Sequence, residues 1–176
     1  MKKITMVIGS MRNGNSAFMA EAIQKTIPEI TTFTLGNGIN YCTGCLECDE
    51  LHECVIHDRM DDILSSIISS DALIIITPVR YSLMSGDVKV FIDRLNPTAV
   101  SESIVGKDLF IIAIGQTDES EGTIQEAIDS LKMFSDNAGL NFVAGYPVFL
   151  CYASNDLKEK ENDVAEIVSQ LRSLLQ

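Results

Sequence analysis

Apolar residues recur along the chain in two kinds of pattern. Short runs that are apolar on both faces, or that alternate weakly, predict five β-strands, at residues 3–9, 29–35, 72–77, 108–115 and 141–150. Between the strands, apolar residues follow a helical spacing, as in Met60, Ile63, Leu64 and Ile67, which is typical of amphipathic helices. Because strands alternate with helices, the pattern predicts an α/β fold with helices on both faces of a parallel sheet.

The number of elements narrows the topology further. Five strands and five helices suit the flavodoxin-like order 2-1-3-4-5, a doubly wound five-stranded parallel sheet. Ligands of such sheets bind beyond the carboxyl ends of the strands, where the order reverses between the first and third strands. The segments that follow the first, third and fourth strands are therefore the ones in which we expect functional residues.

Residue types that favour helix ends predict where two of the helices begin or end. Asn15 or Ser16 is predicted to cap the first helix, because a short polar side chain can accept a hydrogen bond from the first turn. Thr123 and Glu126 have the spacing of a capping box at the start of the fourth helix, and Gly139 is placed to end that helix.

Length and charge exclude several classes of protein. The 176 residues suit one domain over 1–176, and the longest apolar run has six residues, far short of the ~20 that a membrane helix needs. The net charge of −12 would repel a nucleic-acid backbone or an anionic membrane surface. The first residues lack the pattern of a signal peptide, so we expect a cytoplasmic protein that binds neither nucleic acid nor membrane.

A glycine-rich loop follows the first strand, with the sequence Gly-Ser-Met-Arg-Asn-Gly-Asn-Ser at residues 9–16. Its backbone N–H groups, the helix N-terminus and Arg12 would together form a phosphate-binding cup. The loop lacks the G-x-G-x-x-G pattern of dinucleotide-binding proteins, and Asn15 stands where a Walker A loop needs lysine. A strand-to-helix turn without any ligand is the other interpretation of this loop taken alone.

The segment after the third strand, residues 77–86, has features of a surface that binds a ring. Pro78 restricts the backbone to an extended conformation, and Tyr81 could lie against a flat ring. The helix that follows carries Lys89, Asp93 and Arg94. Their spacing favours a structural network of ion pairs over a catalytic role.

A cysteine-rich loop at about residues 40–57 contains four of the five cysteines, in the pattern Cys42-x2-Cys45-x2-Cys48-x5-Cys54. Two-residue gaps allow successive thiolates to converge on one point, and four thiolates suit a [4Fe–4S] cluster or tetrahedral zinc. Thiols that bind nothing are the third interpretation. In a chain that is not exported, clustered cysteines favour metal or redox chemistry over structural disulfides.

Two histidines and the fifth cysteine receive other interpretations. His52 and His57 are available as additional zinc ligands, although loop histidines more often bind no metal. Cys151, alone in the predicted fifth strand, is expected to be a small buried core residue.

Several stretches of the first 95 residues, taken together and in order, indicate a protein family more specifically than any one of them does alone. They are residues 9–16, 42–45, 61–63, 77–79 and 84–94. In this set the chain resembles the NAD(P)H-dependent FMN reductase family of the flavodoxin-like flavoproteins. The cysteine spacing also resembles that of the iron–sulfur flavoproteins, a subgroup with the same fold.

The resemblance implies FMN as the cofactor and assigns residues to each part of it. The phosphate would be bound by Ser10, Arg12, Asn13, Asn15 and Ser16. The isoalloxazine would be lined by Pro78, Val79, Arg80, Tyr81 and Ser82, and the pocket would be closed by Gly115 and Gln116. Arg80 departs from the family, which often has an aromatic residue at this place. Its cation could face reduced flavin, a nicotinamide phosphate or solvent.

The resemblance also implies an activity and an assembly. FMN would accept hydride from NAD(P)H and pass electrons to a flavin, a quinone or a similar acceptor, and since this chemistry takes place on the flavin, no catalytic residue is assigned. The alternative is an iron–sulfur flavoprotein that carries electrons between protein partners. The implied assembly is a homodimer or homotetramer, with the cysteine-rich loop near a neighbouring subunit.

Overall fold

Five parallel strands form one sheet, and their order is the predicted one. The computed structural model describes residues 2–176. The strands are β1 (Ile4–Ile8), β2 (Ile30–Thr34), β3 (Ala72–Pro78), β4 (Asp108–Ile114) and β5 (Asn141–Val148). Their order in the sheet is β2-β1-β3-β4-β5, and all neighbours are parallel, which confirms the flavodoxin-like topology.

The helices outnumber those predicted because three of them are very short. The five long helices are α1 (Asn15–Thr26), α3 (Met60–Ser69), α4 (Gly86–Asp93), α6 (Thr123–Ala138) and α8 (Glu161–Leu174). The short ones are α2 (Cys48–Leu51), α5 (Asn96–Val100) and α7 (Asp156–Glu159), and a 3₁₀ turn covers Glu119–Glu121. A helix of four or five residues is too short to show the apolar periodicity that revealed the long ones. None of the helices among residues 2–176 combines the length and the apolar character that crossing a bilayer requires.

Each face of the sheet carries its own apolar core. On one face, α1, α7 and α8 pack against strand residues such as Met6, Ile74 and Ile112. On the other face, α3, α4 and α6 pack against the alternating residues, such as Ile75 and Ile111. Because successive side chains of a strand point to opposite faces, the central strands must be apolar at nearly every position, as the sequence pattern indicated.

A glycine caps α1 in place of the predicted polar residue. Gly14 precedes the helix in an extended conformation, and Asn15 is already its first residue. The Asn15 side chain is engaged elsewhere, so the predicted cap by Asn15 or Ser16 is wrong.

The start of α6 also differs from the prediction. Gly122 precedes the helix with a φ of 72°, a left-handed conformation that glycine adopts without strain. Thr123 is therefore the first helical residue, and its hydroxyl forms a hydrogen bond with the hydroxyl of Thr117 instead of capping the helix. Gly139 ends α6 in the left-handed conformation, as predicted.

Candidate functional site

A cavity of about 240 Å³ lies at the carboxyl ends of β1, β3 and β4. It is the place where the order of the sheet reverses and where ligands of this topology bind. Nine of the twelve predicted cofactor residues line it: Ser10, Arg12, Asn15, Ser16, Pro78, Val79, Arg80, Gly115 and Gln116. The structure thus brings together residues from three separate loops. We call this space the edge cavity.

The other three predicted residues lie outside the wall of the edge cavity. Asn13 is exposed on the loop after β1. Tyr81 and Ser82 form a two-residue turn between Arg80 and Leu83, whose backbones are bonded to each other in both directions. Tyr81 is 100% exposed at the tip of this turn.

This turn has an unusual backbone. Tyr81 has a φ of 50° and Ser82 a φ of 63°, so two consecutive residues with side chains are left-handed. Tight hairpin turns of this kind normally carry asparagine and glycine, because left-handed backbone costs other residues about 1–2 kcal/mol each. The turn directly follows Arg80, which lines the edge cavity.

The loop after β1 is held against the start of α4. The Ser85 hydroxyl donates a hydrogen bond of 2.8 Å to the carbonyl oxygen of Gly9. A Cβ atom on Gly9 would lie 2.3 Å from Cγ2 of Val88, so no larger residue fits there without displacing α4. The backbone therefore reaches the cavity along a path that only glycine allows.

Asn15 joins the edge cavity to the loop after β5. Its Nδ2 donates to the carbonyl oxygen of Ala153 at 2.8 Å, and its Oδ1 accepts from the backbone N–H of Leu157 at 3.2 Å. These bonds occupy both ends of a side-chain amide that the resemblance assigned to a phosphate. Through them Asn15 fixes one wall of the cavity.

Four residues that sequence reasoning missed also line the cavity, and they are Gly14, Ile114, Cys151 and Tyr152. Cys151 is buried, as predicted, but it lies beyond the end of β5, and its N–H donates to the carbonyl oxygen of Gly115 at 2.9 Å. Its place directly after the fifth strand could have revealed that it lines the cavity, because the end of that strand shares the carboxyl edge with the other parallel strands.

The wall of the edge cavity suits an anion. Its described lining residues include two cations, Arg12 and Arg80, and no carboxylate. The N-terminus of α1 adds partial positive charge, and its first turn contains no acidic residue. In a chain of net charge −12 this is a local concentration of positive potential.

A second and larger cavity, of about 530 Å³, lies beside the cysteines. We call residues 40–58 the cysteine loop and this space the cysteine cavity. It is bounded by the cysteine loop, the C-terminal ends of α4 and α6, and α5, and it shares no lining residue with the edge cavity. All four clustered cysteines line it: Cys42, Cys45, Cys48 and Cys54.

The sulfur atoms in this cavity already receive hydrogen bonds. Asn96 Nδ2 donates to Cys48 Sγ at 2.8 Å, and the N–H of Gly44 donates to Cys42 Sγ at 3.4 Å. His52 and His57 do not line the cavity, and His57 Nδ1 lies 3.2 Å from an Asp61 carboxylate oxygen. The histidines are therefore not placed as ligands beside these thiols.

The chemistry of this donor set suits a thiophilic metal, since four cysteine thiols face one space. Among residues 2–176, however, no three cysteine, histidine or carboxylate side chains stand close enough to hold one metal ion. Binding would therefore require the exposed cysteine loop to draw its thiols together.

Arg94 lies where the two ends of the cysteine loop come together, and we call this place the neck of the loop. The sequence predicted that Arg94 joins an ion network with Lys89 and Asp93, and this prediction is wrong. Lys89 and Asp93 form an exposed pair of their own at 2.6 Å. The Arg94 guanidinium is buried instead and pairs with Asp58 at 2.9 Å. The spacing along one helix could not reveal this partner, which is 36 positions away.

The Arg94–Asp58 pair shifts the pKa of both groups. Burial by itself raises the pKa of Asp58, but hydrogen bonds from Arg94 and from the N–H groups of Asn40 and Met60 outweigh burial, so its pKa lies well below the ordinary 3.8. Burial also lowers the pKa of Arg94, while Asp58 and the nearby Cys54 raise it, with a net increase. Both groups are therefore charged at neutral pH.

The sheet order defines a flavodoxin-like α/β protein, and the acid-free cavity at its carboxyl edge has a wall that suits an anionic ligand. A profile of the NADPH-dependent FMN reductase family matches residues 2–155. The chain belongs to this family of oxidoreductases, as the resemblance in its first 95 residues predicted.

Two archaeal proteins named iron–sulfur flavoprotein are similar to the chain. The one from Archaeoglobus fulgidus is 35% identical over 111 residues, which cover 60% of this chain and 50% of that protein. The one from Methanocaldococcus jannaschii is 28% identical over 148 residues, which cover 77% of each. The chain thus matches half the length of the first of these relatives.

Solved structures agree with the fold. General stress protein 14 from Treponema denticola, determined in complex with FMN, has a TM-score of 0.71 to this chain over 99% of both chains. Only 10% of the aligned residues are identical, so this likeness shows the fold alone.

Proposed function

We propose that the protein binds FMN in the edge cavity and uses it to oxidise NAD(P)H. The observation that carries this proposal is the wall of that cavity, where Arg12, Arg80 and the N-terminus of α1 meet without a carboxylate. A phosphate is the anion that such a loop and helix end suit best. When bound, FMN supplies hydride chemistry at its N5 atom.

The chain's own residues bind and orient the nucleotide. The loop at 9–16 would hold the phosphate, to which Arg12 would donate a charge-assisted hydrogen bond. The cavity of about 240 Å³ is smaller than the roughly 300–1,000 Å³ of complete small-molecule sites, so part of the nucleotide would extend beyond it. Pro78 and Val79, which line the cavity, would face the ring, and Arg80 would be available to a nicotinamide phosphate.

A second candidate function is electron transfer between protein partners through a [4Fe–4S] cluster. The observation that favours it is the arrangement of Cys42, Cys45, Cys48 and Cys54 around one cavity, and relatives named iron–sulfur flavoproteins support it. These four residues would hold the cluster, which supplies single-electron transfer. All five cysteines are free thiols, which suits the reducing cytoplasm that we propose as the location.

Steady-state kinetics separate the two candidate functions. A reductase oxidises NADPH or NADH repeatedly when free FMN or a quinone is the acceptor, whereas a carrier shows little turnover with small acceptors. The absorption spectrum of protein purified without oxygen tests both cofactors in one sample. Protein without flavin bands, under conditions where FMN is supplied during expression, would contradict the proposed function.

Replacing Arg12 by alanine is expected to weaken FMN binding by about 1–3 kcal/mol, roughly 5- to 150-fold, because a charge-assisted contact is lost. Fluorescence titration of apoprotein with FMN measures the effect. Arg172→Ala, which removes an exposed arginine from α8, is the matched control and should bind FMN as the unchanged protein does. Unchanged affinity in Arg12→Ala, or FAD as the extracted cofactor, would show that the phosphate assignment is wrong.

We also propose that the protein forms a homodimer or homotetramer that covers the mouth of the edge cavity. Large apolar side chains are exposed on the cavity wall, at Tyr152, and on the turn next to Arg80, at Tyr81 and Leu83. Burying them against a second copy would shield the ring from water. Light scattering of FMN-loaded protein should therefore give at least twice the monomer mass. A monomer at every concentration tested would contradict this assembly.

A further inference from the structure

Arg94 ties together the two ends of the cysteine loop. Its guanidinium donates to the carbonyl oxygen of Asn40 at 2.7 Å, where the loop begins, and to that of Ile56 at 2.8 Å, two residues before the loop ends. Asp58 accepts hydrogen bonds from Arg94 and from the backbone N–H of Asn40, both through Oδ2. One buried ion pair therefore closes the neck of the segment that contains the four cysteines.

One donor of Arg94 is left over. The residue is only 1% exposed, and its Nε is buried with no hydrogen-bond partner among the described residues. Arg94 also lines the cysteine cavity. A buried N–H without a partner is costly, so it is expected to find an acceptor when the cavity is filled. The acceptors that suit this N–H best are the sulfur atoms of a group bound by the four cysteines of the cavity.

Helix α4, which ends one residue before Arg94, separates this arrangement from the edge cavity. Ser85 caps the start of α4 and contacts the loop after β1, while Arg94 follows its last residue. An eight-residue helix is about 12 Å long at roughly 1.5 Å per residue. A change at Arg94 should therefore alter the cysteine loop and leave the nucleotide site intact.

We propose that Arg94 is a positioning residue for the four cysteines: it preforms the neck of the cysteine loop, and its Nε donates a hydrogen bond to a sulfur of the group that they bind. The second part rests on the proposed iron–sulfur cluster. The first part concerns the chain alone and can be tested without any metal.

Hydrogen exchange of reduced, metal-free protein tests the first part. Arg94→Lys keeps the charge but loses the planar fork that spans both ends of the loop. We expect amide exchange within residues 40–58 to become about tenfold faster or more, while β1 and β3 keep their protection. Asp58→Asn should act in the same direction. Lys89→Gln, which breaks an exposed ion pair on α4, is the control and should leave the cysteine loop unchanged.

Anaerobic reconstitution with ferrous iron and sulfide tests the second part. Iron bound per chain should fall clearly in Arg94→Lys, and FMN content should stay the same. The cluster that remains should have a more negative reduction potential, because a hydrogen bond to sulfur stabilises the reduced form. A purely structural role of Arg94 would lower the iron content without moving the potential.

Failure of the positioning role and failure of the proposed cluster give different experimental results. Unchanged exchange in both Arg94→Lys and Asp58→Asn would overturn the positioning role. An unchanged potential would overturn the Nε–sulfur hydrogen bond. If the unchanged protein binds no iron, the cluster and that hydrogen bond fail together, and exchange alone decides the role at the neck. If Arg94→Lys does not fold, Asp58→Asn decides.

Discussion

Replacing Cys48 by serine should remove most of the iron from protein prepared without oxygen and leave its FMN in place. Four thiolates bind one cluster as a unit, and a serine hydroxyl is a poor ligand for it at neutral pH. Cys48 is half-buried, and its sulfur already accepts a hydrogen bond from Asn96. Because the edge cavity and the cysteine cavity share no residue, flavin content should not follow the iron. Iron, sulfide and flavin analysis of one sample measures all three quantities.

The fifth cysteine provides the control for this experiment. Cys151→Ser should keep the iron, since Cys151 lies in the opposite apolar core and lines the edge cavity. Near-zero iron in the unchanged protein, expressed with ample iron and kept without oxygen, would contradict the cluster. A zinc assay on the same sample would then distinguish a zinc site from thiols that bind nothing.

Replacing Asp58 by alanine should destabilise the protein by about 3–5 kcal/mol, because it leaves the buried Arg94 guanidinium without its counter-charge. Urea unfolding at pH 7, with FMN at the same saturating concentration in every sample, measures the loss. Asp93→Asn, which breaks the exposed pair with Lys89, should change stability by less than about 1 kcal/mol. A loss of similar size in both variants would contradict the special role of the buried pair.

The contribution of Asp58 should also depend on pH. Its pKa is lower in the folded protein than the ordinary 3.8, so the folded state binds fewer protons than the unfolded state in acid. This stabilisation is complete above the ordinary pKa and declines as the pH falls below it. The difference in unfolding free energy between the unchanged protein and Asp58→Ala should therefore be smaller at pH 3 than at pH 7. Equal differences would show that the carboxylate does not act through its charge.

The central strands could be predicted because the constraint on each of them is local. Helices on both faces leave runs such as 72–77 and 108–115 polar only at an end, and that pattern is visible without any partner. The loops around the edge cavity could be found for a related reason. Parallel strands bring their carboxyl ends to one edge, so the order of elements placed the loop containing Arg12 next to the loop containing Arg80.

Helix starts and turn geometry were less predictable from local sequence. Gly122 shifts the start of α6 by one residue, because its left-handed conformation competes with the cap that Thr123 would form. The turn at Tyr81 and Ser82 adopts a backbone that neither residue favours. The backbones of Arg80 and Leu83 bond to each other in both directions and close the turn despite that preference.

By itself, the sequence determined the alternation of strands and helices, the sheet order, and the two segments that carry chemistry, because each depends on neighbours within a few residues or on the geometry common to parallel sheets. Only the tertiary structure decided which distant groups meet. Asn15 bonds to Ala153, 138 positions away, and Arg94 bonds to Asp58, 36 positions away. No local pattern encodes such partners, because a buried polar group is satisfied by whichever group the packed core brings within hydrogen-bonding distance.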